Sequence, residues 1–252
     1  MIDFHSHILP KFDDGSESMD MTFEMLESSK KAGVSTVVST SHCYPKTYER
    51  TIHFINKRER RLDAVKQEVS ERGAKIPKII KAAEVNLITD FSEYDCIKNL
   101  CIENTNYILV EMPLTKWKDS DFDIIYSLIV KGFRPIIAHI DRYAQIKNEF
   151  ENFMSLDLVF QINADCFLSP LGRRFAYKMI KSGMGHIIGS DMHNMSSRPS
   201  HIKKAYSLIE EKLGAQYVSY FEENGKKILL NESIDKSKYR ELPEIKRLPI
   251  FF

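Results

Sequence analysis

Short apolar segments alternate with longer amphipathic segments along most of the chain. Seven of the apolar segments are rich in β-branched residues and nearly unbroken in hydrophobicity, which is typical of parallel strands buried on both faces. These predicted strands are Ile2–His7, Ser35–Thr40, Lys78–Ala83, Tyr107–Glu111, Arg134–Ala138, Val159–Asn163 and His186–Gly189. Parallel neighbours need a crossover connection, which is usually a helix, so the alternation predicts an α/β fold built from repeated βα units.

The segments between the predicted strands carry helix signals. Gly73 is placed to stop a charged helix over residues 50–72, and Ser169-Pro170 reads as an N-cap followed by proline at the first helical position. Apolar residues repeat at helical spacing in four places: Met19, Phe23 and Leu26; Leu62, Val65 and Val69; Leu171, Phe175 and Met179; Ile202, Ala205, Ile209 and Leu213.

Seven such units in 252 residues fit one closed or nearly closed barrel. A doubly wound open sheet is the alternative, but neither G-x-G-x-x-G nor a Walker A sequence supports it. Residues 1–232 are predicted to form the barrel. Residues 233–252, which are charged and contain Pro243 and Pro249, are predicted to form a C-terminal tail that packs on the barrel or extends from it.

Composition argues against several classes of protein. The 36 basic and 35 acidic residues balance to a net charge of +1 without a basic stripe, so we expect no nucleic-acid partner. No apolar run approaches the roughly 20 residues that span a bilayer, and the N-terminus lacks the pattern of a signal peptide. The cysteines, which show no C-x-x-C spacing, are expected to be free thiols in the cytoplasm: Cys43, Cys96, Cys101 and Cys166.

Residues that bind metals stand at the ends of the predicted strands. Side chains repeat every second residue along a strand, so His5 and His7 point to the same side of the first one. Active sites of parallel barrels gather at the carboxyl ends of the strands. Six of the seven predicted strands carry candidate ligands there: His5, His7, His42, Glu84, Glu111, His139, Asp191 and His193. Asp14, in the loop after the first strand, is a further candidate.

The type and number of these ligands indicate more than one divalent ion. Imidazoles and carboxylates without thiolates favour Mn, Fe or Zn over soft metals. One ion needs three or four protein ligands, so the set suits two or three ions that share carboxylates. Four carboxylates against three divalent ions leave a formal charge of +2. A cationic pocket of this kind suits a phosphate group and a metal-activated hydroxide.

The sequence around these ligands resembles a known superfamily. The runs D-F-H-S-H-I-L-P, D-D-G, T-S-H, A-E-V, A-H-I-D-R-Y and S-D-M-H-N resemble the PHP (polymerase and histidinol phosphatase) superfamily over roughly residues 1–213. Spacing and length are most similar to the bacterial manganese-dependent tyrosine-protein phosphatases of capsule and exopolysaccharide operons. The resemblance implies a distorted (β/α)7 TIM-like barrel with three metals at the strand ends. It also implies a phosphotyrosine-bearing bacterial tyrosine kinase as the partner.

The resemblance further implies a ligand set for each ion. The first ion would take His5, His7, Glu84 and Asp191, the second would share Glu84 and add Glu111 and His139, and the third would take Asp14, His42 and His193. Arg142 and Arg198 match the phosphate-binding arginines of the family, and a guanidinium group suits phosphate oxygens.

The mechanism that we infer is in-line attack on phosphorus by a hydroxide that bridges two metals. A small-molecule phosphatase of the same superfamily, such as histidinol phosphatase, would use the same chemistry. A metal-dependent amidohydrolase and a metal-binding module without enzymatic activity are weaker alternatives. A cysteine phosphatase would need C-x5-R, and none of the four cysteines has an arginine six positions later. The sequence leaves the oligomeric state open.

Overall fold

Parallel strands and the helices that connect them account for most of the structure. A computed structural model describes residues 1–143 and 156–241, and nine strands and six α-helices lie within those ranges. The strands are β1 (Ile2–Ser6), β2 (Thr36–Ser39), β3 (His42–Cys43), β4 (Lys78–Lys81), β5 (Glu84–Asn86), β6 (Tyr107–Glu111), β7 (Arg134–Ile137), β8 (Val159–Asn163) and β9 (Ile187–Gly189). The helices are α1 (Met19–Lys31), α2 (Tyr48–Arg72), α3 (Asp119–Val130), α4 (Pro170–Lys181), α5 (Ile202–Leu213) and α6 (Ala215–Leu229).

The strands form two parallel sheets that together curve around a common interior. One sheet has the order β1-β2-β4 and the other has the order β3-β5-β6-β7-β8-β9. The backbone of the first strand continues into the second sheet, because the His7 N–H donates to the Met192 carbonyl at 2.9 Å and the Asp191 N–H donates to the His5 carbonyl at 2.8 Å. The fold is therefore a mixed α/β fold with a curved parallel sheet, as the alternating pattern predicts.

The seven predicted strands are all confirmed, and their ends agree to within two residues. The strands β3 and β5 are absent from the prediction. Each follows a short irregular link after β2 or β4. Each pairs within the second sheet, where His42 lies opposite Glu84. A strand of two or three residues is too short to show a period, which is why the sequence pattern does not reveal it.

The helix signals are also confirmed, with one exception. Gly73 ends α2 in the left-handed conformation with φ 58°, and the Ser169 hydroxyl accepts a hydrogen bond from the Gly172 N–H at 3.0 Å at the start of α4. Leu171 is the exception, because its side chain is 81% exposed. The buried face of α4 is centred on Ala176 and Ile180, and a rotation of about 100° per residue places Leu171 nearly opposite them.

Apolar side chains fill the interior between the strands, and polar side chains follow them at the carboxyl ends. Ile80 of β4 and Ala82, in the link after it, pack in one cluster with residues of β6 and β7, including Leu109. Glu84 begins β5 just beyond Ala82, and Glu111 ends β6 two residues after Leu109. The apolar interior therefore ends where the carboxylates begin.

Only the first part of the predicted C-terminal tail falls within the described residues. Ile234 is buried in the same interior cluster, whereas Pro243 and Pro249 lie outside the described ranges. Across residues 1–143 and 156–241, no helix combines the length and the apolar character that crossing a bilayer requires.

A buried histidine makes the stability of this fold dependent on pH. Burial lowers the pKa of His186 to about 3, and the nearby Lys236 adds to the effect. The imidazole Nδ1 accepts a hydrogen bond from the Phe160 N–H at 3.0 Å, so the folded state holds the ring neutral. The unfolded chain, with an ordinary histidine pKa, takes up a proton near pH 6.5.

We therefore expect the free energy of unfolding to fall as the pH is lowered from about 6.5 toward 3, by up to about 1.4 kcal/mol per pH unit from this group. His186→Asn keeps an acceptor for the Phe160 N–H and removes the titration. Urea unfolding at several pH values should show a shallower pH dependence for this variant than for the wild type. His53→Asn, at an exposed site on α2, is the matched control. Equal pH slopes for the wild type and His186→Asn would contradict this assignment.

Candidate metal centre

The structure brings all nine predicted ligand residues together at the carboxyl ends of the strands. Most of them are buried, His42 and Glu111 are half-buried, and Asp14 is exposed. They come from β1, β3, β5 and β6, from the segments that follow β7 and β9, and from the loop after β1: His5, His7, Asp14, His42, Glu84, Glu111, His139, Asp191 and His193.

Four of the predicted ligands lie together at the end of β1. The Nε2 atoms of His5 and His7 lie 3.1 Å apart. Glu84 Oε2 lies 3.2 Å from the first and 3.3 Å from the second, and Asp191 Oδ1 lies 3.5 Å from both. These four residues are the set that the resemblance assigns to the first ion.

The remaining predicted ligands extend the cluster on two sides. His139 Nε2 lies 2.8 Å from Glu84 Oε1 and 3.7 Å from Glu111 Oε1. On the other side, Asp14 Oδ1 lies 3.3 Å from the Nε2 atoms of both His42 and His193.

The sets of ligand atoms that lie close together in the structure differ in two respects from the sets implied by the resemblance. His7 lies within 4.8 Å of the Asp14, His42 and His193 ligand atoms, and His42 forms a further group with Glu84 and Glu111.

A chain of amide groups fixes the orientation of two of these ligands. The His139 backbone N–H donates to Gln161 Oε1 at 2.8 Å, so that oxygen is an acceptor and His5 Nδ1, 3.1 Å away, is the donor to it. Gln161 Nε2 then donates to Asn163 Oδ1 at 2.8 Å, and Asn163 Nδ2 donates to Asp191 Oδ2 at 3.0 Å. His5 is thereby held as the tautomer with a free Nε2 that faces the cluster.

Asp13 contacts two of the proposed ligands and is absent from the predicted set. Its Oδ2 lies 3.0 Å from His7 Nδ1 and also accepts the His42 N–H at 3.0 Å. A carboxylate on the outer nitrogen of an imidazole is the usual way to orient a metal-binding histidine. Gly15 lets this loop approach His7, because a Cβ atom there would lie 2.2 Å from the His7 carbonyl oxygen. The Asp13-Asp14-Gly15 run was the available signal, but the sequence does not show which carboxylate faces which histidine.

Orphaned lone pairs show that the residues fit metal ions. With Nδ1 of both His5 and His7 bonded outside the cluster, both Nε2 atoms point into it and lie 3.1 Å apart. Glu84 Oε2 and His42 Nδ1 are buried without hydrogen bonds although they lie 2.9 Å apart. Two ligands bound at about 2.1 Å to one ion are themselves about 3.0–3.4 Å apart. These contacts therefore match the edges of metal coordination polyhedra.

The charges within the cluster also support a metal site. Burial alone would raise the pKa of Glu84, but the surrounding imidazoles, His5 foremost, hold it well below its usual value. Burial alone would lower the pKa of His7, but hydrogen bonds to Asp13, Asp191 and Glu84 raise it well above its usual value. In both cases the charged form is favoured, so the site pairs buried negative charge with positive charge.

Both predicted arginines reach the same carboxylate. Arg142 Nη2 is hydrogen-bonded to Asp191 Oδ2, and Arg198 Nη2 lies 3.0 Å from the same oxygen. Arg198 Nη1 also lies 3.7 Å from Asp14 Oδ2. Both guanidinium groups are partly exposed, so they border the cluster on its solvent side and can meet an anion that enters there.

Comparisons with known proteins agree with this site. A family model described as "Capsular polysaccharide synthesis, CpsB/CapC" matches residues 1–230. The tyrosine-protein phosphatase CpsB of Streptococcus agalactiae serotype III is 30% identical over 93% of this chain and its own full length. The putative tyrosine-protein phosphatase CapC of Staphylococcus aureus is 31% identical over 94% of each chain. The tyrosine-protein phosphatase YwqE of Bacillus subtilis is 26% identical over 100% of this chain and 99% of its own.

Solved structures show the same fold. A study of YwqE from Bacillus subtilis and CpsB from Streptococcus pneumoniae, described as unique metal-dependent tyrosine phosphatases, provides a chain that superposes with a TM-score of 0.80 at 23% identity, over 93% of this chain and 96% of that one. A TatD family hydrolase from Entamoeba histolytica superposes with a TM-score of 0.51 at 12% identity, over 92% of this chain and 98% of that one. At these identities the likeness concerns the fold alone.

The contact between Asp13 and His7 gives a direct test of metal binding. Asp13→Asn weakens the acceptor that orients His7, and loss of such an outer partner typically lowers metal affinity roughly 10–100-fold. Calorimetric titration of the metal-stripped protein with Mn²⁺ should show this loss. Asp63→Asn, an exposed carboxylate on α2, should bind Mn²⁺ like the wild type. If Asp13→Asn binds Mn²⁺ as tightly as Asp63→Asn does, Asp13 has no role in orienting a ligand.

Proposed function

The chain belongs to the CpsB/CapC family of capsular polysaccharide synthesis proteins, and from this membership we propose that it is a metal-dependent protein-tyrosine phosphatase. The observation that carries the proposal is the convergence of five histidines and four carboxylates on one buried cluster bordered by two arginines. The curated relatives bear the name tyrosine-protein phosphatase and match nearly the whole chain.

We propose that three ions bind to the ligand sets implied by the family resemblance and that Mn²⁺ is the physiological metal. When bound, such ions would supply Lewis-acid charge for the phosphoryl oxygens and lower the pKa of a bound water. The structure adds Asp13 to the carboxylates at the centre, so three divalent ions would leave a formal charge of +1 rather than +2 before the arginines are counted. Arg142 and Arg198 supply the remaining positive charge that a phosphate dianion requires.

The residues of the chain have distinct parts in the proposed reaction. Arg142 and Arg198 bind the phosphoryl oxygens, because a guanidinium group offers parallel N–H donors to two oxygens at once. Asp191, whose Oδ2 contacts both arginines, would hold metal through Oδ1, the oxygen that faces His5 and His7. Gln161 and Asp13 hold His5 and His7 in the tautomer that metal binding requires. Burial of the cluster keeps these groups in fixed positions, so they need no rearrangement as charge develops.

The wider setting of the protein is also a proposal. We propose a distorted (β/α)7 barrel of the PHP type over residues 1–232 with a separate C-terminal tail over residues 233–252. We further propose that the protein acts in the cytoplasm on a phosphotyrosine-bearing tyrosine kinase of capsule or exopolysaccharide synthesis. The curved parallel sheet supports the barrel, and the family description supports the polysaccharide setting.

Removing one ligand tests the reaction directly. His139→Ala deletes the imidazole that lies 2.8 Å from Glu84, and we expect the metal-loaded variant to hydrolyse a phosphotyrosine peptide at least about a hundredfold more slowly. His201→Ala, outside the cluster, should keep wild-type activity. Retention of most of the activity by His139→Ala would rule out the proposed centre as the catalytic site.

Thiol chemistry offers a second test. Burial raises the pKa of Cys43 and Cys101 to about 12, and burial likewise raises that of the half-buried Cys166, so none of these thiols is poised as a nucleophile. We expect Cys166→Ser to hydrolyse the phosphotyrosine peptide within about twofold of the wild type and to resist iodoacetamide. Mass spectrometry confirms which cysteines are alkylated. Complete inactivation by Cys166→Ser would favour a cysteine mechanism instead.

A further inference from the structure

A cleft with a volume of about 620 Å³ opens beside the metal centre. Asp14 and His42 belong both to the centre and to the lining of the cleft. The cleft therefore begins at the edge of the metal centre and extends toward the first turns of α2. Its volume is typical of a site for a ligand much larger than phosphate.

Aromatic rings form the walls of the cleft. Phe12 and Phe54 meet edge to face with ring centroids 5.4 Å apart, and Lys57 Nζ lies 4.4 Å above the Phe12 ring while it donates to the Phe12 carbonyl at 3.2 Å. Tyr44 stacks on His42 with a centroid distance of 5.8 Å and remains 50% exposed. These contacts fix the walls and leave ring surface open to a ligand.

Three cations line the cleft without an acidic partner among the described residues: Lys46, Arg50 and Lys57, the last of which lies over Phe12. Lys46 and Arg50 are exposed, and no carboxylate in residues 1–143 or 156–241 lies within 4.0 Å of either charged group. Arg72, at the far end of the same helix, is instead paired with Asp20 and Glu68. The acidic groups of the lining are also committed elsewhere, since Asp13 is bonded to His7 and Asp14 faces two histidines. The cleft thus presents unneutralised positive charge to solvent.

We propose that this cleft binds the acidic segment that flanks the phosphotyrosine of the substrate protein, with Lys46 and Arg50 as the residues that select acidic side chains. This inference rests on the proposed phosphatase function. A peptide anchored by its phosphate at the centre has neighbouring residues within reach of the cleft, because Asp14 and His42 line both. Tyr44 and Phe12 offer ring surface to the apolar parts of the same segment. Charge complementarity of this kind determines specificity and association rate.

The test compares two phosphotyrosine peptides that differ only in whether glutamate or glutamine flanks the phosphotyrosine. We expect the Mn²⁺-loaded wild type to show a kcat/KM about tenfold higher for the glutamate peptide. The double variant Lys46→Glu/Arg50→Glu should reduce this ratio to about one or below. Because both rates come from the same preparation, partial unfolding of the variant cancels in the ratio.

The matched control is Arg60→Glu/Lys66→Glu, which reverses two exposed cations of the same helix outside the cleft. It changes the net charge by the same amount, so it should keep the tenfold preference. Equal hydrolysis of the two peptides by the wild type would overturn the proposal. An equal loss of preference in both double variants would also overturn it, because the effect would then come from overall charge.

A binding measurement separates this proposal from the proposed function. If the Mn²⁺-loaded wild type hydrolyses neither peptide, the phosphatase proposal fails, and fluorescence anisotropy with the same labelled peptides still tests the cleft. Tighter binding of the glutamate peptide by the wild type, lost in Lys46→Glu/Arg50→Glu and kept in the control, supports the cleft. Equal affinity for both peptides refutes it.

Discussion

The carboxylate of Glu84 is the group on which the rest of the site depends. Its two oxygens lie between 2.8 and 3.3 Å from imidazole nitrogens of four histidines, which come from three different parts of the chain: His5, His7, His42 and His139. A buried carboxylate is costly unless positive charge and hydrogen bonds surround it. Protonated imidazoles provide that charge in the metal-free protein, and divalent cations held between the same nitrogen and oxygen atoms would provide it in the proposed centre.

The backbone departs from regular geometry where this arrangement requires it. The strands β2 and β4 each end in a short irregular link. The short strands that follow place His42 and Glu84 in the second sheet. His139 and Asp191 adopt positive φ angles of 32° and 53°, a conformation that non-glycine residues rarely take. Strained backbone of this kind persists only where the surrounding structure enforces it, and it is concentrated at functional sites. Here it turns two side chains inward just after their strands end.

The sequence is sufficient to predict the seven longer strands and to bring the nine proposed ligands to one edge of the sheet, because both depend on local patterns. Buried parallel strands are continuous apolar runs, and their carboxyl ends are fixed once the strands are known. The supporting residues depend on contacts between distant segments. Gln161 contacts His5 across 156 residues of sequence separation, and no spacing rule shows that its oxygen rather than its nitrogen faces the imidazole. Leu171 illustrates a second reason. The helix that contains it is predicted correctly, but the helical period alone does not determine which face of the helix is buried.

The division between the metal centre and its surroundings has a consequence for specificity. The proposed ligands lie on strands and on the tight turns that follow them, where packing and hydrogen bonds such as Gln161 to Asn163 hold them rigidly. The proposed phosphate-binding arginines and the cations of the cleft lie outside the sheet, on segments whose side chains are partly or fully exposed. Substitutions among the cations of the cleft change charge and shape at the entrance without touching Glu84 or its partners. Related chains can therefore share one metal chemistry while they differ in the peptide that reaches it, and selectivity among phosphorylated proteins is a property of the entrance.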